Sequence, residues 1–377
     1  MKNNKTYIFF ITFSAITLNF IIGSIFPALS FLICIILFSV INDKNNIIYN
    51  IICTSFFGAI VYSSRIFSIN ESDDYIRYYD TFVNINRISS SVYFDEPGLY
   101  WFYKVVSYFI PNLSISGLSF ITLFSSLVLI GFFFYRLCFY NLKIKYVGLF
   151  FSIIYLLLSI DYMNQLVRQS IAMIFISFSL LNISKIKKVI FSLLALTFHF
   201  SSIPVILILY ALRKTSIKKI ILFSIISTII ILICLNIPLI KNYLARLEIY
   251  NINSFEINWY MKYVVFILLL SIVSKPLYQN KEWGHFLLTL ALLVIITAPL
   301  GLLSLRLFLI YIVFFLGVHL YVISENNKII LVLIIILLFS MKTINILTPN
   351  DHKSDNFSLW YNYGIYSSEP FYYFSKY

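Results

Sequence analysis

The chain has 377 residues, of which 60% are hydrophobic and 11% are charged, and its formal net charge is +13. The mean hydropathy of +0.91 excludes an ordinary soluble domain and leaves room for roughly ten to twelve apolar helices of about 20 residues each. The excess of lysine and arginine is explained by the positive-inside bias of membrane proteins, so no nucleic-acid partner is expected.

The first three apolar runs predict three spans, which cover about 7–22, 25–41 and 47–69. The first follows Lys2 and Lys5 and is typical of a retained signal-anchor helix with a cytoplasmic N-terminus. Lys44 places the loop after the second span inside, so the third span leads to the outer side.

Residues 70–112 form an outer loop that is rich in acids and aromatic side chains. Its later part, 97–110, combines Tyr, Trp and Phe with Lys104 and is too short to cross a bilayer. This composition predicts a helix that lies in the membrane interface and ends at Pro111.

Eight further spans are predicted from the apolar runs that follow and from the basic residues between them. They cover about 112–135, 146–160, 170–181, 220–240, 259–273, 283–299, 302–323 and 329–347. The last span leads to an aromatic tail, 348–377, which is predicted to lie outside.

The run 189–212 does not fit a straight span, because basic residues flank it at both ends and both ends are therefore predicted to be cytoplasmic. Two half-helices broken around His199, Ser201, Ser202 and Pro204 satisfy that requirement. We expect a re-entrant hairpin with His199 near its tip. Irregular backbone at that depth implies an internal cavity.

The predicted fold class is therefore an all-α polytopic membrane protein with about 11 transmembrane helices and a re-entrant broken hairpin around His199. A single membrane domain, 1–347, precedes the tail. The four cysteines lack metal-ligand spacing and are interpreted as packing residues. Nucleotide-binding and protease motifs are absent from the sequence, which disfavours ATP-driven transport and proteolysis.

Two arginines lie at predicted outer helix ends, Arg168 and Arg306. Each can extend its side chain to phosphate headgroups, or bind a diphosphate through the fixed fork of its guanidinium donors. Arg77 in the outer loop adds a third cation on the same side. An outward-facing cavity with these groups suits an anionic lipid-linked substrate.

The outer acids and His199 allow more than one interpretation. Asp73 and Asp74 are either solvated or, beside Tyr75 and Tyr78, equipped to bind sugar rings. Either could chelate a divalent metal, but no further ligands at metal spacing support this, so no metal site is predicted. Glu96 is a turn acid or a catalytic carboxylate, and His199 is a buried structural histidine or a general base.

Several of these residues occur in motifs that resemble the EpsG family, which includes Wzy-type O-antigen polymerases. The resemblance covers roughly residues 50–325 and rests on five segments: Asp74-Tyr75-Ile76-Arg77-Tyr78, Phe94-Asp95-Glu96-Pro97-Gly98, Val167-Arg168-Gln169-Ser170-Ile171-Ala172, Phe198-His199-Phe200-Ser201-Ser202, and Arg306 followed by Tyr311.

The resemblance implies a membrane glycosyltransferase that joins oligosaccharide repeat units, carried on undecaprenyl diphosphate, at the periplasmic face of the bacterial inner membrane. His199, Asp74 or Glu96 would be the base, and Arg168, Arg306 and Arg77 would bind the diphosphate. No cofactor is implied; membrane lipid, a chain-length regulator and a flippase are the implied partners. A flippase or transporter of lipid-linked oligosaccharide and an O-antigen ligase remain alternatives.

Overall fold

The structure is a computed structural model. It describes residues 2–23, 26–41, 43–64, 74–86, 97–199, 206, 209–210, 265–269, 272, 281–296 and 307–347. Every regular element in these ranges is helical, which confirms the predicted all-α class. The chain divides into two compact units, one comprising residues 1–203 with 329–377 and the other residues 204–328.

The first three helices lie close to the first three predicted spans: α1 Lys2–Gly23, α2 Pro27–Val40 and α3 Lys44–Ser63. Proline at the first position of α2 lacks the amide hydrogen that would be unsatisfied there. Asp43 caps α3, because its side chain accepts hydrogen bonds from the backbone of Asn45 and Asn46.

Polar side chains hold these helices together inside the first unit. Asn19 on α1 donates to the Ser30 carbonyl and to the Cys34 sulfur on α2, at 3.1 and 3.0 Å. Asn50 on α3 donates to the Cys34 carbonyl at 2.8 Å. Hydrogen bonds of this kind stabilise helix association in an apolar surrounding, where burial of apolar area contributes little.

The loop 70–112, which is predicted to be outer, contains two helices, α4 Asp74–Val83 and α5 Pro97–Phe109. The second confirms the helix that the sequence predicts at 97–110, although its position in the membrane interface remains a prediction. The sequence reasoning missed α4. Helix α6 runs over Ile115–Arg136 and continues in a π-helical turn, Leu137–Leu142.

Four helices follow: α7 Val147–Leu157, α8 Ile160–Gln165, α9 Val167–Ser179 and α10 Lys185–Phe198. Helices α9 and α10 are antiparallel, since Phe178 stacks on Phe191 with ring centroids 5.1 Å apart and Phe175 contacts Phe198 at 5.6 Å. The amino-terminal end of α9 and the carboxyl-terminal end of α10 therefore lie on the same side.

Helix α10 ends where the sequence predicts a break. His199 is extended, with φ −157° and ψ 107°, and the 14 residues of α10 rise roughly 21 Å, less than the ~30 Å bilayer core. Ser201, Ser202 and Pro204 lie outside the described residues. The hairpin itself therefore remains a prediction.

Three helices complete the described chain: α11 Lys281–Ile296, α12 Leu307–Ser324 and α13 Lys328–Leu347. Within the described ranges, α3, the segment Ile115–Leu142 and α12 are long and apolar enough to cross a membrane, and further apolar helices of 10–17 residues accompany them. The protein is thus a polytopic membrane protein. The predicted number of spans is not tested by the described part.

Candidate functional site

Within the first unit, α4 and α5 pack on α6 and α9 through one apolar core, called here the tyrosine cluster. It joins residues of α4, α5, α6 and α9, with two side chains from neighbouring turns: Tyr75, Phe82, Ile85, Leu99, Tyr100, Tyr103, Leu113, Leu118, Val167 and Ile171. Burial of these large side chains holds two short helices that could not persist alone. The cluster therefore brings motifs from distant parts of the sequence together.

Arg168 lies beside Tyr78 at the edge of the tyrosine cluster. Its Nε donates a hydrogen bond to the Tyr78 hydroxyl at 3.1 Å, and its guanidinium carbon lies 5.5 Å from the centroid of the Tyr78 ring. A cation over an aromatic face is attracted to the ring quadrupole. The two contacts together restrict the orientation of the guanidinium.

Tyr75 and Tyr103 lie inside the tyrosine cluster and are fully buried. The Tyr75 hydroxyl donates to Thr122 Oγ1 at 3.4 Å, and the Tyr75 ring meets that of Tyr78 edge-on at 6.2 Å. Burial raises the pKa of the Tyr103 phenol well above its usual value. Tyr103 therefore stays neutral. Tyr75 packs against the ring of Tyr78, and a sugar contact by Tyr75 remains a prediction.

A close helix contact joins the Pro97-Gly98 motif to the end of α10. A Cβ placed on Gly98 would lie 2.8 Å from Cδ2 of Phe198 and 2.9 Å from the carbonyl oxygen of Thr197. Only glycine allows the backbones to approach this closely. The start of α5 is therefore packed against the turn that ends at His199, which is partly buried.

The structure brings Arg168 and His199 to the same end of the packed α9–α10 pair. Phe198 packs on Phe175, which is seven residues after Arg168. At 1.5 Å per residue, Arg168 lies roughly 10 Å along α9 from the level at which Phe198 packs.

A network of polar contacts that was not predicted from the sequence lies just before Arg168 in the chain. Asn164 on α8 is buried, donates to the Tyr62 carbonyl of α3 at 2.8 Å and accepts from the Ser119 hydroxyl of α6 at 2.8 Å. Its side chain thus joins three helices four residues before Arg168. Because the amide nitrogen and the amide oxygen of buried Asn164 are both hydrogen-bonded, these bonds fix the position of the corner between α8 and α9.

Lys342 extends this network to the last helix. Its ammonium donates to the Leu158 carbonyl, at the carboxyl-terminal end of α7, at 3.2 Å and lies 5.4 Å from the centroid of the Tyr62 ring. A cation at that end of a helix interacts favourably with the helix dipole. The contact brings the carboxyl-terminal ends of α7 and α13 to one side; that both helices run outward remains a prediction.

The structure describes no side chain for four of the predicted site residues. Asp73, Glu96 and Arg306 lie outside the described residues, and Asp74 begins α4 without a described side chain. Arg77 is exposed on α4, directly before Tyr78 in the chain. In the described part, no group of three or more metal-binding side chains lies close enough to hold an ion. Among the predicted residues, the structure therefore groups Arg168 with Tyr75 and Tyr78, and Gly98 with the turn at His199.

Comparison with protein-family models decides the family. The model of the EpsG family matches residues 50–364, a range that begins within α3 and contains α4 to α13 with all the contacts of the candidate site. The chain belongs to the EpsG family. This confirms the resemblance in the motifs and identifies a membrane protein of polysaccharide biosynthesis, similar to polysaccharide polymerases. A search of curated proteins and a search of solved structures gave no match to this EpsG-family chain.

Proposed function

We propose that this EpsG-family protein is a polymerase of O-antigen or another surface polysaccharide. It joins repeat units carried on undecaprenyl diphosphate at the periplasmic face of the inner membrane. The observation that carries the proposal is the fixed guanidinium of Arg168, held by the ring and hydroxyl of Tyr78 on the same side as the helix end at His199. A transfer from a lipid diphosphate requires such an anion site beside a base.

The reaction forms one glycosidic bond and breaks one glycosyl phosphate bond. A hydroxyl at the non-reducing end of the acceptor unit attacks the anomeric carbon of the growing chain. The bond between that carbon and the diphosphate oxygen breaks, and undecaprenyl diphosphate leaves with the electron pair. The hydroxyl proton passes to a base, for which His199, Asp74 and Glu96 are the candidates.

The arginines act on the leaving group. Negative charge grows on the bridging oxygen and spreads over the diphosphate as the bond breaks, so donors fixed in advance stabilise the transition state more than the ground state. Arg168 carries this role, with Arg306 and Arg77 as further cations. We assign the sugar contacts to Asp73, Tyr75 and Tyr78. Tyr78 is partly buried, and the edge or a face of its ring would contact the sugar.

The proposal includes the finer topology. The N-terminus is cytoplasmic, about 11 helices cross the membrane, and residues 189–212 form a re-entrant hairpin whose tip holds His199 in a cavity. Residues 1–347 form one membrane domain, and the tail 348–377 is periplasmic. A flippase supplies the lipid-linked units, and a chain-length regulator is a further partner.

A surface-glycan gel of a deletion strain tests the function. We expect the deletion to leave the lipid core with a single repeat, and wild type, but not Arg168→Ala or His199→Ala at equal expression, to restore the ladder. An unchanged ladder on deletion would refute the polymerase. Loss of the single repeat, with intact lipid-linked units on the cytoplasmic side, would identify a flippase, and long unattached chains would identify a ligase.

A further inference from the structure

Helix α5 has two chemically different faces. Leu99, Tyr100 and Tyr103 are buried in the tyrosine cluster, whereas Trp101, Val105 and Tyr108 are 56%, 56% and 83% exposed. These exposed positions recur at helical spacing and form one apolar stripe. In a membrane protein, a short helix with such a stripe meets lipid on one face and protein on the other.

Lys104 lies at the boundary between these faces. Its ammonium is 3.4 Å from the Tyr100 hydroxyl and lies 5.5 Å from the Tyr100 ring centroid and 5.4 Å from that of Trp101. Within the described ranges no carboxylate pairs with it, and α5 contains no acid. The positive charge is therefore held by two aromatic rings and is not neutralised by them.

The same helix connects Lys104 to Arg168 through the tyrosine cluster. Tyr100, which contacts Lys104, and Val167, which precedes Arg168 in the chain, belong to that one core. Tyr100 thus contacts the exposed Lys104 and packs in the same core as the residue before Arg168. A lipid diphosphate that moves from the bilayer toward Arg168 would meet positive charge first at Lys104 and then at the guanidinium.

We propose that α5 is the access route for the lipid-linked donor and that Lys104 captures its diphosphate. The inference depends on the proposed function, because it takes the donor from it. The polyprenyl chain lies along Trp101, Val105 and Tyr108, and the diphosphate contacts Lys104 before it reaches Arg168. Lys104 takes no part in the transition state, so it acts on donor binding alone.

The test uses the full chain in nanodiscs of phosphatidylcholine, with the donor varied as a mole fraction of the lipid. Lys104→Gln is expected to raise the apparent KM for the donor about tenfold with kcat unchanged, and Lys104→Arg is expected to keep the wild-type KM. Lys145→Gln is the matched control, because Lys145 also lies over a ring, that of Tyr146, at 5.0 Å, and is predicted to be cytoplasmic. An unchanged KM in Lys104→Gln, or an equal loss of kcat, would overturn the inference.

A binding measurement separates this inference from the proposed function. Addition of the donor should change the fluorescence of Trp101, identified by difference from Trp101→Phe, and Lys104→Gln should shift that response to about tenfold higher donor. This response without any polymerisation would refute the polymerase but keep the access route. Phosphatidylglycerol at the same mole fraction, if it gave the full response, would identify a general headgroup site and overturn the donor assignment.

Discussion

Arg168 donates from Nε to the Tyr78 hydroxyl at 3.1 Å while its guanidinium carbon lies 5.5 Å from the centre of the same ring. One tyrosine of α4 thus holds an arginine 90 residues later in the chain. The hydrogen bond fixes the rotation of the guanidinium, and the ring fixes its position. The proposed diphosphate site depends on both.

Tyr78→Phe separates these two contacts. It removes the hydrogen bond and keeps the ring, so we expect kcat/KM to fall about tenfold, with unchanged expression. Tyr140→Phe is the control, since Tyr140 is exposed and lies in a loop predicted to be cytoplasmic. Wild-type kcat/KM in Tyr78→Phe would show that the bond does not orient Arg168 for the reaction.

Arg168→Lys tests whether shape or charge matters at this position. Lysine keeps the charge but lacks the fork and the Nε donor, so we expect about a hundredfold loss of kcat. Arg136→Lys, at the exposed end of α6, should have no effect. Steady-state rates of polymerisation measure both variants, and a lysine variant with wild-type kcat would reduce Arg168 to a simple point charge.

Gly98→Ala tests the contact between α5 and the turn before His199. Alanine alone would favour a helix by about 0.5–1 kcal/mol over glycine, but its Cβ would meet Phe198 and the Thr197 carbonyl. We expect overpacking to dominate and to lower the free energy of unfolding by about 1–3 kcal/mol. Thermal unfolding in detergent gives the sign of the change in the free energy of unfolding. A stabilised variant would mean that α5 and α10 are not in close contact.

Asn164→Ala tests the network beneath Arg168. It leaves the Ser119 hydroxyl and the Tyr62 carbonyl without their partner in a buried site, so we expect the free energy of unfolding to fall by about 2 kcal/mol. Asn112→Ala, at an exposed turn position, should change it by less than about 0.5 kcal/mol. A double-mutant cycle with Ser119→Ala should show positive coupling, and additivity would argue against the hydrogen bond.

Periodicity explains which helices could be predicted. Long apolar runs give α1 to α3 and α6 directly, because bilayer thickness sets the length of a helix. Helix α4 carried a readable signal too, since Tyr75, Tyr78, Tyr79 and Phe82 recur every three or four residues. Acidic residues flank this short pattern on both sides, so the loop has the composition of a solvated segment and α4 was not predicted.

The site was less accessible from sequence. Arg168 stood out because a charge beside an apolar helix is unusual, but its partner Tyr78 is distant in the chain, and nothing local selects one tyrosine among several. Asn164 was hidden for the same reason: it bonds a backbone carbonyl 102 residues away, and backbone acceptors leave no trace in side-chain patterns. Part of the candidate site is therefore formed by contacts between distant segments, which motifs in the sequence do not show.

The most direct test of the central claim is polymerisation by the purified protein in nanodiscs that contain undecaprenyl-diphosphate-linked repeat units. The account predicts a ladder of lipid-linked oligomers, with one undecaprenyl diphosphate released for each new glycosidic bond, and no ladder with Arg168→Ala. Folded wild-type protein that binds the units but yields neither oligomers nor undecaprenyl diphosphate would contradict it.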